Sequence, residues 1–179
     1  IFGLPHSAEE ARVVLVPVPW EPTTSYRKGT AGGPAAIREA SLQVDLFDVQ
    51  TGRPYEVGIA MLEEDPEIVR WNAEACAASE PVIAAAGEVA GDPALEAKLE
   101  RVNALSRLLN ARLEATVAGL IGQGKLVGTV GGDHASVYGA IAAHAAAYPG
   151  LGILHVDAHA DLRVAYEGFE DSHASIMYN

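Results

Sequence analysis

Near its end the chain carries Asp157, His159 and Asp161 at alternate positions, and upstream of them His134 stands behind a pair of glycines. In an extended strand, residues i, i+2 and i+4 share one face. Residues 153–161 therefore read as an apolar strand finishing in three converging ligands, with the small Ala158 and Ala160 turned away. Two hard carboxylates flanking one imidazole suit a divalent cation of the Mn²⁺ or Zn²⁺ kind, and they supply none of the thiolates a structural zinc site prefers. The second group, Gly131-Gly132-Asp133-His134, follows an apolar run ending at Val130. Its glycines let the backbone turn sharply and approach a ligand closely, with His134 at the mouth of the next helix. Taken alone, such a pair also makes an ordinary strand-to-helix turn with Asp133 or Ser136 as the cap. Two consecutive parallel strands ending in a histidine and in Asp-x-His-x-Asp assemble a metal centre across a sheet edge.

Those ligands need elements to deliver them. Residues 126–130 and 151–157 predict nearly continuous apolar strands, joined by a helix over 136–148. Upstream, residues 13–19 predict a strand and 20–33 a loop at its end, rich in glycine and hydroxyl residues. Pro34 then begins a short helix running to Ala40. Residues 46–49 and 57–62 predict short strands on either side of the turn-forming Thr51-Gly52-Arg53-Pro54. A helix is expected over 67–90, broken or restarted at Pro81. Asp92-Pro93 supplies a cap and a first-turn proline. From there Leu95, Leu99, Val102, Leu105, Leu109, Leu113, Val117 and Leu120 recur at helical spacing until Gly122 and Gly124. Alternating apolar strands and helices predict a parallel sheet covered on both faces, with ligand sites at the carboxyl ends of its strands.

A length of 179 residues and a hydrophobic content of 49% predict one domain over 1–179 with an ample core. A net charge of -12 and a pI near 4.8 argue against nucleic acid or an anionic membrane as partner, and they favour a small cation. The single cysteine, Cys76, leaves no internal disulfide and reads as a small buried thiol in an Ala-rich stretch. No run is long and apolar enough to span a bilayer. Residues 1–11, with His6, Glu9 and Glu10, lack the basic start of a signal peptide, so a cytoplasmic location is expected. Because Ile1 and not Met opens the chain, an incomplete copy of the native protein is also expected.

Taken together, these motifs resemble the ureohydrolase family, the arginase and agmatinase group of binuclear manganese amidinohydrolases. Gly131-Gly132-Asp133-His134 looks like the family's first metal motif, with Ala135 where a Ser is usual and Ser136 one place later. Asp157-Ala158-His159-Ala160-Asp161 matches the second. Pro17-Val18-Pro19-Trp20, residues 24–30 and residues 33–38 are similar to the loop and helix of the agmatinase-like branch, and Tyr166-Glu167-Gly168 with Ser172-His173-Ala174 extends the likeness. The resemblance implies an arginase-like three-layer α/β/α fold with a mostly parallel sheet. It also implies hydrolysis of a guanidino compound, agmatine above all, to urea and an amine by a metal-bridging hydroxide. Position by position, His134 and Asp161 would hold one of two Mn²⁺ ions, His159 the other, and Asp157 would bridge them. His173 would handle the proton, its ordinary pKa of about 6.5 lying in the working range. A homo-oligomer, trimer or hexamer, is implied in the same way.

The family completes its metal pair with a further Asp-x-Asp segment and contacts guanidinium with a later acid. Both would lie beyond Asn179, so the C-terminal part is expected to be missing, leaving an exposed apolar sheet edge. Two other readings remain open: a zinc-dependent deacetylase of the same fold, and a non-catalytic remnant acting through oligomer contacts. Several residues take plainer readings. His155 lies inside the apolar run on the face of the ligands and reads as a hydrogen-bonded core residue, His144 as structural and His6 as part of an unordered tail. Arg27 and Lys28 read as ion-paired to an acid elsewhere, and Glu170 and Asp171 as solvated loop carboxylates.

Overall fold

Val13–Val18 (β1) is a run of β-branched and apolar residues at the centre of a three-stranded parallel sheet. On one side lies Ile59–Met61 (β2), in the register Val13 with Ile59 through Leu15 with Met61. On the other lies Leu126–Gly131 (β3), in the register Val13 with Leu126 through Val18 with Gly131. β1 and β3 therefore finish level with one another. The computed structural model describes residues Ile1–Asn179.

Four helices accompany the sheet: Gly33–Ala40 (α1), Pro66–Ala84 (α2), Pro93–Gly122 (α3) and Tyr138–Ala147 (α4). α3 starts where the sequence predicts, because the Asp92 carboxylate accepts the amides of Ala94 and Leu95 and Pro93 needs no amide partner. Its apolar stripe, Leu105, Leu109, Leu113, Val117 and Leu120, packs with Val14, Val16 and Val18 of β1, Ile68 and Ala75 of α2 and Ala140 and Ala143 of α4 in one core cluster. Burying each large aliphatic side chain there stabilises the fold by about 1.5–3 kcal/mol. A parallel sheet accompanied by helices is the α/β architecture that the strand and helix alternation predicts.

Several expectations are corrected. Residues 151–157 form no strand; Leu154 and Val156 are 89% and 87% exposed. A parallel strand is kept by cover on both faces, and the exposure of Leu154 and Val156 shows that this segment lacks it. Residues 46–49 form a loop closed by a bridge between Asp48 and Gly52, because Phe47 and Val49 find no core. Pro81 does not break α2: it sits in the last turn, where a single amide is lost, and the helix runs on to Ala84. α4 begins at Tyr138, after a 3₁₀ turn over His134–Val137. His6 belongs to no loose tail; its Nδ1 is buried, and a Cβ on Gly58 would touch its ring.

Three outcomes follow from this packing. Leu109→Ala should lower unfolding free energy by about 3 kcal/mol in a urea titration, since the side chain is fully enclosed. Gly119→Ala, inside α3 with open space around its Cβ position, should instead raise stability by about 1 kcal/mol. Burial pushes the Cys76 thiol up to about 11, so at pH 8 it should react with disulfide reagents ~100-fold more slowly than free cysteine.

Candidate metal centre

The level ends of β1 and β3 are joined by backbone contacts. Gly132 donates its amide to Val18 O at 3.2 Å and Asp133 to Trp20 O at 2.7 Å. A Cβ on Gly132 would collide with the backbone of Trp20, so any other residue here must displace that backbone. Asp133 is buried and caps the turn that follows: its Oδ1 accepts the Ala135 amide at 3.0 Å and its Oδ2 accepts the Thr23 hydroxyl at 3.0 Å. Burial pushes its carboxyl up to about 6, against the lowering effect of those hydrogen bonds.

The 20–33 loop is held down by its own polar groups. Glu21 Oε2 accepts the amides of Gly29 at 2.6 Å and Ala31 at 3.0 Å. Lys28 Nζ donates to the carbonyls of Glu21 at 2.7 Å and Pro22 at 2.9 Å. Lys28 thus serves backbone carbonyls where an ion pair is expected. Arg27 likewise has no carboxylate partner and lies 5.4 Å from the Tyr26 ring centroid. The same loop presents Thr23, whose Oγ1 accepts the His173 amide at 3.1 Å and lies 3.2 Å from His173 Nδ1. Tyr166 packs edge-on against the His173 ring, with centroids 5.0 Å apart. Burial, above all, holds His173 below the ordinary imidazole range.

Donor atoms from His134, His155, Asp157 and Asp161 all lie within 4.8 Å of one another. His134 Nδ1 is 2.6 Å from Asp161 Oδ2 and 3.4 Å from Asp157 Oδ2. His155 Nε2 is 3.7 Å from Asp157 Oδ2 and 3.9 Å from Asp161 Oδ2, and it is buried with no hydrogen-bond partner. The hydrogen-bonded core role expected of His155 is therefore absent. Its place on the ligand face of the 153–161 run is the sequence signal that marks it.

His159 stands apart. Its Nδ1 is 3.3 Å from Asp157 Oδ1, but its side chain is 81% exposed. The cause is local: Asp157 Oδ1 accepts the His159 amide at 2.8 Å, an aspartate turn in place of the extended alternation expected over 157–161. That bond is also the main reason the Asp157 carboxyl titrates below its usual range. Asp161 reaches the group by another route, a left-handed backbone with φ 49° pinned by the Met177 amide on its carbonyl at 3.1 Å. His134, Asp157, His159, Asp161 and His173 all line one cleft of about 380 Å³. His144 is structural, its Nδ1 2.7 Å from Ala140 O within α4. Glu170 pairs with Arg107 at 3.4 Å, and Asp171 is half-buried, its carboxyl raised by burial and by Glu170; neither is simply solvated.

A parallel sheet whose β3 exit brings His134 against the carboxylates of the irregular 153–161 segment in one cleft defines an α/β protein with a candidate cation site. The chain belongs to the Arginase family, whose model matches residues 11–179. It is similar to an N(1)-aminopropylagmatine ureohydrolase of Thermus thermophilus, 35% identical over 171 residues that cover 95% of this chain and 47% of that protein. It is also similar to an agmatinase of Bacillus anthracis, 32% identical over 169 residues, 94% of this chain and 47% of that one. Among solved structures, the agmatine ureohydrolase of Thermoplasma volcanium shares the fold with a TM-score of 0.65 at 21% identity, over 97% of this chain and 47% of that one. The chain spans about half the length of the curated relatives it matches.

Gly132→Ala should cost about 2–3 kcal/mol, since Trp20 backbone must move to admit the methyl group. Gly152→Ala, with nothing near its Cβ position, should stay within about 0.5 kcal/mol in the same denaturation assay.

Proposed function

We propose that this protein is a manganese amidinohydrolase that converts a guanidino compound, most favourably agmatine, to urea and an amine. The observation that carries the reading is the converging group of His134, His155, Asp157 and Asp161, in which a buried His155 Nε2 lacks any partner. A cation there gives that nitrogen a ligand role, and a set of carboxylates and imidazoles without thiolate suits Mn²⁺. His134, His155, Asp157 and Asp161 would hold the metal pair, with His159 joining from the rim beside Asp157. Metal binding lowers the pKa of water from about 16 towards 7, so hydroxide becomes available near neutral pH.

The chain's own groups supply the rest. Asp157 and Asp161 make the cleft acidic, and the net charge of -12 attracts a cationic substrate at long range. Guanidinium is resonance-stabilised and leaves as an amine only if protonated, which calls for a positioned acid. His173 faces the cleft, and Nε2 is its one ring nitrogen free of hydrogen bonds within the chain, so that atom delivers the proton. The names of the similar proteins, agmatinase and aminopropylagmatine ureohydrolase, support the substrate class. A cytoplasmic setting and homo-oligomeric assembly belong to the same proposal; no helix is long and apolar enough to cross a membrane.

The test is urea release from agmatine, arginine and guanidinobutyrate with and without Mn²⁺. Urea should form from at least one of them, stop on chelation and return with Mn²⁺. Asp161→Ala should lower the rate by at least about 10–100-fold, the effect typical even of groups one step removed from a metal. Zn²⁺-dependent cleavage of an acetylated amine, with no urea from any guanidino compound, would replace this reading.

A further inference from the structure

The Thr23 hydroxyl sits where three segments far apart in sequence meet, and its hydrogen-bonding capacity is fully assigned. A hydroxyl has one proton and two acceptor positions. Asp133 Oδ2 lies 3.0 Å away, while Asp133 Oδ1 is already accepting the Ala135 amide. An ionised Asp133 can only accept, so the Thr23 proton goes to it. The His173 amide fills one acceptor position at 3.1 Å. His173 Nδ1, at 3.2 Å, meets the other and must donate to it. The remaining ring nitrogen, Nε2, has no partner within the chain and belongs to a ring that lines the cleft.

From this arrangement we infer that Thr23 is a positioning residue that fixes His173 as the Nδ1–H tautomer, with buried Asp133 orienting the Thr23 hydroxyl. The consequence for the proposed reaction is specific, and it rests on His173 acting as the proton-handling group. In the charged ring both nitrogens carry protons. When Nε2 gives its proton to the departing amine, the neutral ring left behind is the Nδ1–H form that Thr23 already holds. No rotation or proton exchange at Nδ1 is required between turnovers. Tyr166, edge-on to the ring, restricts the flip that would exchange the two nitrogens. Thr23 itself is fully buried, so water cannot take over its role without a change in packing.

The experiment is nitrogen NMR on protein carrying ¹⁵N-labelled histidine, loaded with diamagnetic Mg²⁺, with His173 assigned by comparison with His173→Gln. In the unsubstituted protein His173 should show a one-bond proton coupling at Nδ1 and none at Nε2. Thr23→Ser, which keeps the hydroxyl, should preserve that pattern; Thr23→Val should abolish the preference for Nδ1–H. With Mn²⁺, Thr23→Val should lower kcat for urea release by about 10–100-fold with little change in KM, and Thr23→Ser should restore most of it. A proton on Nε2 in the neutral ring of the unsubstituted protein overturns the inference, as does Thr23→Ser behaving like Thr23→Val. If Nδ1–H is found but no guanidino compound yields urea, the positioning role stands and the proposed reaction falls.

Discussion

The constraint on which the site depends is the close approach of Gly132 to the backbone of Trp20. β1 and β3 run parallel and in register, so their chains leave the sheet side by side. Only a residue without a side chain lets the second strand's exit cross against the first. The amides of Gly132 and Asp133 then bond to carbonyls of Val18 and Trp20, fixing where Asp133 and His134 point. Thr23 hangs from the same loop and hands this order on to His173. Three groups of different chemistry thus take their positions from one backbone crossing.

Beyond the crossing, the site is governed by charge. Asp157 and Asp161 are drawn close enough to share His134 as a neighbour, an arrangement that repels itself unless positive charge is added. The Asp157 and His159 turn and the left-handed Asp161 backbone hold the carboxylates in place, together with the His134 ring on Asp161 Oδ2. A cation that binds such a group contributes its binding free energy to folding as well. Asp133 is different: it is buried among neutral donors, and its task is to orient rather than to ligate.

What the sequence discloses follows from how local each feature is. The long helix α3 is legible because its cap, proline and apolar stripe all act within the helix itself. β1 and β3 are legible as apolar runs, and the Gly-Gly turn as an exit from a strand. Residues 151–157 carry an equally clear apolar run but form no strand, since that state depends on cover that a single segment does not contain. His159 drops out of the converging group because an aspartate turn, encoded by Asp157 itself, overrides alternation. His155 joins the group from just ahead of that turn, its Nε2 facing the Asp157 and Asp161 carboxylates. Thr23 was invisible to any spacing argument: its partners lie 110 and 150 residues away, and a threonine in a polar loop carries no local mark of that role.

The reaction proposed for this cleft requires His134, His155, Asp157 and Asp161 to form one cation site. Anomalous diffraction at the manganese edge, from crystals grown with Mn²⁺, tests it most directly. Manganese density should lie within bonding distance of the His134 and His155 rings and the Asp157 and Asp161 carboxylates. Manganese bound elsewhere on the protein, with these side chains still clustered and metal-free, would contradict it.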